Sequence, residues 1–94
     1  MNPSIQQTAL HTIALEAASV AGLAAFIDAS FTRAVNAIHQ SEGRLVISGI
    51  GKSAIVAQKI VSTLNSTGTP SLFMHAADAI HGDLGMIQKE DIVL

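Results

Sequence analysis

Two groups of residues in this chain have the types and spacing for chemistry. Gly49, Gly51, Lys52 and Ser53 stand where an apolar run ends and a helical pattern begins, and His75, Asp78, His81 and Asp83 stand around the end of the next apolar run. Glycine reaches backbone angles closed to other residues and lets a ligand touch the main chain. The free N–H groups that open a helix point into the same space. Together these make an anion pocket, and Lys52 supports it, because a cation in the first helical turn opposes the macrodipole unless an anion sits there. Two imidazoles beside such a pocket suit proton transfer on a small phosphorylated molecule. His81, with glycine next to it and an imidazole that titrates near neutrality, is placed for that role. A loop-fixing hydrogen bond accounts for His81 equally well on spacing alone.

Several alternatives are tested by spacing. A phosphate loop of the G-x-x-x-x-G-K-[ST] type needs glycine five residues before Gly51, where Val46 stands, so that pattern fails. Gly49, Gly51 and Ala54 fit G-x-G-x-x-[GA], and Asp78 lies three residues beyond His75, so a dinucleotide-binding half remains open. A plain strand–helix corner with a solvated Lys52 is the simplest alternative. His75, His81 and Asp83 could supply three metal ligands, but H-x5-H-x-D matches no standard zinc spacing. His11 and His39 read as solvated helix-surface residues, and Glu16, among alanines, as a helix-contact polar group.

The elements that must position these residues follow from periodicity. Ser4 to about Ala21 reads as one helix, with Leu10, Ile13, Ala14, Ala17 and Ala21 on one stripe and a break at Gly22. A second helix follows, with Ile27, Phe31, Ala34, Val35 and Ile38 opposite Asp28, Arg33, Asn36 and Gln40, ending at Ser41-Glu42-Gly43. Arg44 to Ser48 is a β-branched run suited to a strand buried on both faces. After the glycine turn, Ala57, Ile60, Val61 and Leu64 face the core while Gln58, Ser62 and Asn65 face outward, and Gly68 stops the helix ahead of Pro70. Ser71 to His75 is a second strand, Ala76 to Ile80 a turn or two of helix, His81 to Gly85 a loop, and Asp91 to Leu94 a third strand.

The order ααβαβαβ specifies an α/β fold, a three-layer parallel sheet of flavodoxin or Rossmann type preceded by a helical pair. Residues 1–43 form the pair and 44–94 the sheet unit. Leu94 falls inside an apolar strand, so the expectation is the first half of a domain, with part of the site beyond it. The helical pair is more apolar than one sheet face requires, which suggests packing on another subunit.

Composition excludes several classes. Ninety-four residues suit one small domain, 49% of them are hydrophobic, and there is no cysteine for a disulfide scaffold or thiolate metal site. A net charge of −2 from scattered residues offers no basic stripe for nucleic acid and no polybasic membrane patch. The first basic residue is Arg33, which leaves no charged start for a secretory signal. The most apolar window, Ala17 to Ile27, is interrupted by Ser19 and closed by Asp28, short of the ~20 residues that span a bilayer. A cytoplasmic protein with a small-molecule role is expected.

Gly49-Ile50-Gly51-Lys52-Ser53, Ser66-Thr67-Gly68-Thr69-Pro70 and above all His75-Ala76-Ala77-Asp78-Ala79-Ile80-His81-Gly82-Asp83-Leu84-Gly85-Met86-Ile87 resemble the sugar isomerase (SIS) domain of bacterial arabinose 5-phosphate isomerases. That resemblance implies interconversion of ribulose 5-phosphate and arabinose 5-phosphate through an enediol, on the way to Kdo for lipopolysaccharide or capsule. It also implies a tetramer and no organic cofactor. By position it implies Lys52 and His81 as active-site residues, Gly51, Ser53, Gly68 and Thr69 as sugar or phosphate contacts, and His75 as a histidine that holds an optional zinc. Ala76-Ala77-Asp78 departs from the Pro-Ala/Gly-Glu usual after that histidine. The serine-rich phosphate loop, the proton-moving glutamates and any CBS modules would lie beyond Leu94. A sugar-phosphate sensor without turnover is the alternative from another class.

Overall fold

The structure, a computed structural model, describes residues 4–80 and 82–94. The chain divides into two compact units, Met1–Val35 and Asn36–Leu94.

In the first unit, α1 spans Ile5–Gly22 and opens on a capping box. The Gln7 N–H donates to Ser4 Oγ at 3.0 Å and the Ser4 N–H to Gln7 Oε1 at 2.9 Å, so two end groups that would otherwise lack partners are satisfied. The break expected at Gly22 is a tightening into a 3₁₀ turn, Leu23–Phe26. Helix and turn together make 22 residues and contain an 18-residue window with a mean hydropathy of 1.5, long and apolar enough by length and composition to cross a membrane. This corrects the shorter apolar window expected around Ser19. The hydroxyls interrupt nothing, because Thr8, Thr12 and Ser19 each donate to the carbonyl four residues back, at 2.9–3.1 Å.

Asp28 belongs to a cap, not to a helical face. Its Oδ1 accepts the N–H groups of Ser30 at 2.9 Å and Phe31 at 3.3 Å, and these bonds start α2, Ala29–Gln40. Ile27 is correspondingly extended and leaves the stripe assigned to it.

The second unit is a three-stranded sheet of β1 (Leu45–Gly49), β2 (Ser71–His75) and β3 (Ile92–Val93), all parallel, in the order β2-β1-β3. Central β1 buries Leu45, Val46 and Ile47, as its continuous apolar run requires. Between β1 and β2 runs α3, Lys52–Ser66, seated on both strands through Ala54 and Ala57, whose small side chains bring the helix close to the sheet. Val61, Leu64, Phe73, Ile92 and Ile38 complete the core around Leu45, Ile47 and Ala57.

One expectation on α3 is corrected and another gains a reason. Ile60, assigned to the core, is 39% exposed and lies outside the cluster around Leu45, Ile47 and Ala57. Asn65 is exposed but not idle. Its amide donates to the Ser71 carbonyl at 3.1 Å and accepts the Ser71 N–H at 2.8 Å, closing the turn into β2. Gly68, at φ 96°, is the left-handed stop expected there.

After β2 come α4, Ala76–Ile80, and a 3₁₀ turn, Asp83–Met86, in the stretch read as loop. The Asp91 side chain, 1% exposed, accepts from the Arg44 backbone N–H (2.9 Å), Arg44 Nε (3.3 Å) and Nη2 (2.9 Å), and the Gln88 N–H (2.8 Å). Arg44 Nη2 also donates to the Met86 carbonyl at 2.8 Å. The Arg44 guanidinium, and after it the Gln88 N–H, hold the Asp91 carboxyl well below the usual carboxylate range. The Asp28 cap is also lowered, first by the Ser30 hydroxyl.

A carboxyl with a lowered folded pKa contributes stability that is complete above its unfolded value of about 4 and is lost as pH falls toward the folded value. The thermal midpoint is therefore expected to be flat above about pH 5 and to drop below about pH 4. Asp91→Asn should lower the plateau and flatten that drop in a series of melts. An unchanged acid slope would show that Asp91 does not carry it.

Candidate anion site at the carboxyl end of the first strand

The Gly49–Ser53 turn is shaped by one of its two glycines. A Cβ on Gly49 would stand 3.4 Å from the Ala54 nitrogen, an ordinary contact, so the first turn of α3 lies close over the strand end without requiring glycine there. Gly51 has φ 64° and ψ −137°, a conformation that belongs to glycine. A Cβ there would meet nothing within 4 Å, so the space above the turn is open. The Ala54 N–H donates to the Gly51 carbonyl at 3.1 Å, and no side chain caps the helix. An uncapped 15-residue helix on an open glycine turn presents main-chain donors and the positive end of its dipole to a ligand.

From this turn an open groove of about 390 Å³ runs along α3. Ser48, Lys52 and Ser53 form its polar end, and Ile47, Val56, Ala57, Ile60 and Leu94 its apolar length. The Ser48 N–H donates to the Leu94 carbonyl at 2.9 Å, tying the ends of β1 and β3 together. In open parallel sheets the ligand crevice lies outside the carboxyl ends of strands where the order reverses. With the order β2-β1-β3 that point is between β1 and β3. A dinucleotide-binding half places its third strand beside the second; here β3 pairs with β1, so the G-x-G-x-x-A spacing does not signify that fold.

Gly51, Lys52 and Ser53 are thus brought together. His75 lies at the same edge, opposite Gly49 in the register. Its Nδ1 accepts the Ala77 N–H at 3.1 Å, which leaves Nε2 for any further partner, and its ring stands edge-on to Phe73 at 6.4 Å. Among the described residues no three His, Cys, Asp or Glu side chains are grouped to hold a metal. His81 lies outside the described residues. Asp78 is exposed on α4, and Asp83 opens the 3₁₀ turn.

Gly68 and Thr69 are not brought to this edge. They precede β2 and so lie at the amino ends of the strands, separated from Lys52 by the whole of α3, about 22 Å of helix. The sequence reading overlooked Ser48 and the Arg44–Asp91 pair. The pair did leave a signal, a base opening one apolar run and an acid opening another, as partners at the starts of adjacent parallel strands would.

An α/β unit with an uncapped glycine turn at its switch point has the geometry of an anion cradle. The chain matches the SIS domain over residues 37–94, and it belongs to that family. It is 45% identical over 94 residues to arabinose 5-phosphate isomerase GutQ of Shigella flexneri, covering 100% of this chain and 29% of that protein. It is 49% identical over 87 residues to arabinose 5-phosphate isomerase KdsD of Pseudomonas aeruginosa, covering 93% of this chain and 27% of that protein. A solved structure of an Escherichia coli CFT073 protein in complex with a sugar phosphate is 36% identical, with a TM-score of 0.74 over 99% of this chain and 50% of that one. The chain therefore spans under a third of the length of these curated relatives.

Proposed function

We propose that this chain supplies the sugar-phosphate site of an aldose–ketose isomerase that interconverts arabinose 5-phosphate and ribulose 5-phosphate. The observation that carries this reading is the uncapped Gly51 turn with Lys52 and Ser53 at the β1/β3 switch point. The relatives named as arabinose 5-phosphate isomerases and the sugar-phosphate complex of the Escherichia coli structure support it.

Aldose–ketose interconversion moves a proton between C1 and C2 through an enediol, and negative charge grows on the carbonyl oxygen as the carbon gives up its proton. A fixed cation at that oxygen stabilises the transition state more than the ground state. The Lys52 ammonium has that role, with His81 as the resemblance assigns it, while Gly51 and Ser53 hold the anionic end of the substrate. Gly68 and Thr69 remain substrate contacts on the resemblance alone. No organic cofactor takes part. A zinc ion at His75 rests on the resemblance alone and is not required for turnover. Since Nδ1 accepts the Ala77 N–H, Nε2 carries the ring proton, and binding a metal there would have to displace that bond.

The same reading covers the chain's organisation. Residues 1–43 form a helical pair through which a homotetramer assembles, 44–94 form the sugar-phosphate unit, and the protein is cytoplasmic and serves Kdo synthesis for lipopolysaccharide or capsule. Neither nucleic acid nor membrane is a partner. Glu16, with Gln6, Gln7, Thr8, His11 and Thr12 in the same helix, weighs against a bilayer span, since an ionised group in mid-membrane is costly.

Titration of the isotope-labelled chain with arabinose 5-phosphate is expected to move the amide resonances of Gly49, Gly51, Lys52 and Ser53 first. Lys52→Ala should weaken binding by roughly tenfold, the worth of one charge-assisted contact. Resonances unmoved there, or moved only by adenine nucleotides, would overturn the reading.

A further inference from the structure

The contact least explained by an anion site lies at the far end of the sheet. Arg44 precedes β1 at its amino edge, yet its Nη2 reaches the Met86 carbonyl at 2.8 Å and Asp91 Oδ2 at 2.9 Å. Met86 is the last residue of the 3₁₀ turn Asp83–Met86, whose final carbonyls lack partners within the turn. That turn packs on α4, and α4 packs on β2, whose last residue is His75. A chain of contacts therefore joins Arg44 to the segment that leaves the carboxyl edge. Among the described residues the other backbone bonds of that segment are local, and the Gly82 N–H donates to the Ala79 carbonyl of α4 at 3.3 Å. Gly85 N–H donates to the Gly82 carbonyl and Ile87 N–H to Leu84, both at 3.1 Å and both internal to it.

We infer that Arg44 is a positioning residue: by holding the Met86 carbonyl and Asp91 together it sets where the Asp83–Met86 turn and α4 stand beside the anion site. The guanidinium is needed for its shape. One planar fork serves both Asp91 oxygens and the Met86 carbonyl at once, whereas a lysine ammonium on a single stem cannot span the three acceptors. Asp91 keeps its bonds from the Arg44 and Gln88 N–H groups whatever the side chain at position 44. Arg44→Lys thus preserves the charge and most of the Asp91 shell while releasing Met86.

The ligand arm of the test rests on the proposed function; the exchange arm does not. In Arg44→Lys, amide hydrogen exchange at residues 83–87 is expected to speed up by roughly tenfold or more, with β1, β2 and the middle of α3 unchanged. Affinity for arabinose 5-phosphate should fall by roughly tenfold while affinity for inorganic phosphate, which needs only the Gly51 turn, stays the same. General loosening of the fold would weaken both ligands together. Arg44→Ala should show the same pattern more strongly. Unchanged exchange at 83–87 in Arg44→Lys overturns the inference, and so does faster exchange with both affinities unaltered. If the wild-type chain binds phosphate but not the sugar phosphate, the proposed function fails while the exchange arm still decides whether Arg44 holds the turn.

Discussion

Gly43→Ala is expected to unfold the sheet unit at temperatures where the wild type is intact. A methyl group on Gly43 would stand 2.7 Å from the Asp91 nitrogen and closer still to the Glu90 carbonyl, and both obstacles are backbone. They cannot swing aside, because this segment is tied on both sides. Ser41 Oγ donates to the Glu90 carbonyl at 3.2 Å and accepts the Gly43 N–H at 3.1 Å. The Ile92 N–H donates to the Arg44 carbonyl at 3.0 Å as the first rung of the β1–β3 ladder. Overpacking of a rigid site costs about 1–3 kcal/mol, and a unit this small has little stability to lose. A fall in thermal midpoint of roughly 10–20 °C follows from the size scaling, read by circular dichroism. Gly22→Ala is the control, since Gly22 has φ −62° and nothing within 4 Å of a new Cβ. It should be neutral or raise the midpoint slightly. Equal melts for the two variants would mean that the Gly43 approach to Glu90 does not exist in solution.

Gly43 also shows where a reading of sequence stops. Its neighbours in the chain mark it as the end of a helix, and that is all periodicity can say. What makes it irreplaceable is a segment 47 residues later in the chain, brought alongside by strand pairing. The elements themselves were legible. Ser71–His75 is the strand its apolar run predicts, and the helix after the glycine turn ends where Gly68 takes the left-handed conformation. Periodicity reports which residues are apolar, however, and not how large a gap they must fill. Ile60 lies on the expected stripe but stands outside the core cluster, on the lining of the open groove beside Ala57.

The site was legible to the same depth. Gly51, Lys52 and Ser53 share one local turn, so their proximity is written in their spacing. Grouping Thr69 with them needed the direction of travel: a chain that leaves the carboxyl edge through α3 returns at the amino edge, which is where Thr69 stands. Strand order was not readable at all. Whether the third strand pairs with the first or the second depends on long-range packing, and that choice separates the observed sheet from a dinucleotide-binding half.

Gly51→Ala tests the turn on which the proposed chemistry depends, and its effect should divide between two measurable quantities. Alanine at φ 64° and ψ −137° costs about 1–3 kcal/mol. If the turn keeps its shape, that strain lowers the stability of free and bound protein alike, and affinity is unchanged apart from the added methyl group. If the turn relaxes, stability is recovered, but the N–H groups that open α3 no longer converge on the anion. Affinity for arabinose 5-phosphate and for inorganic phosphate then falls together, by roughly 10- to 100-fold. The second outcome is expected. Ala54 N–H to the Gly51 carbonyl is the one bond among the described residues that links Gly51 to α3 outside the helix's own ladder, and no neighbour lies within 4 Å of the new methyl to hold the strained form. Calorimetric titration and thermal melts on the same preparation separate the two. Lys52→Ala supplies the contrast, removing charge without moving backbone, so its melt should match the wild type while its affinity drops. A Gly51→Ala chain with unaltered melt and unaltered affinity for both ligands would mean that the anion does not sit on this turn, and the assignment of Lys52 and Ser53 would fall with it.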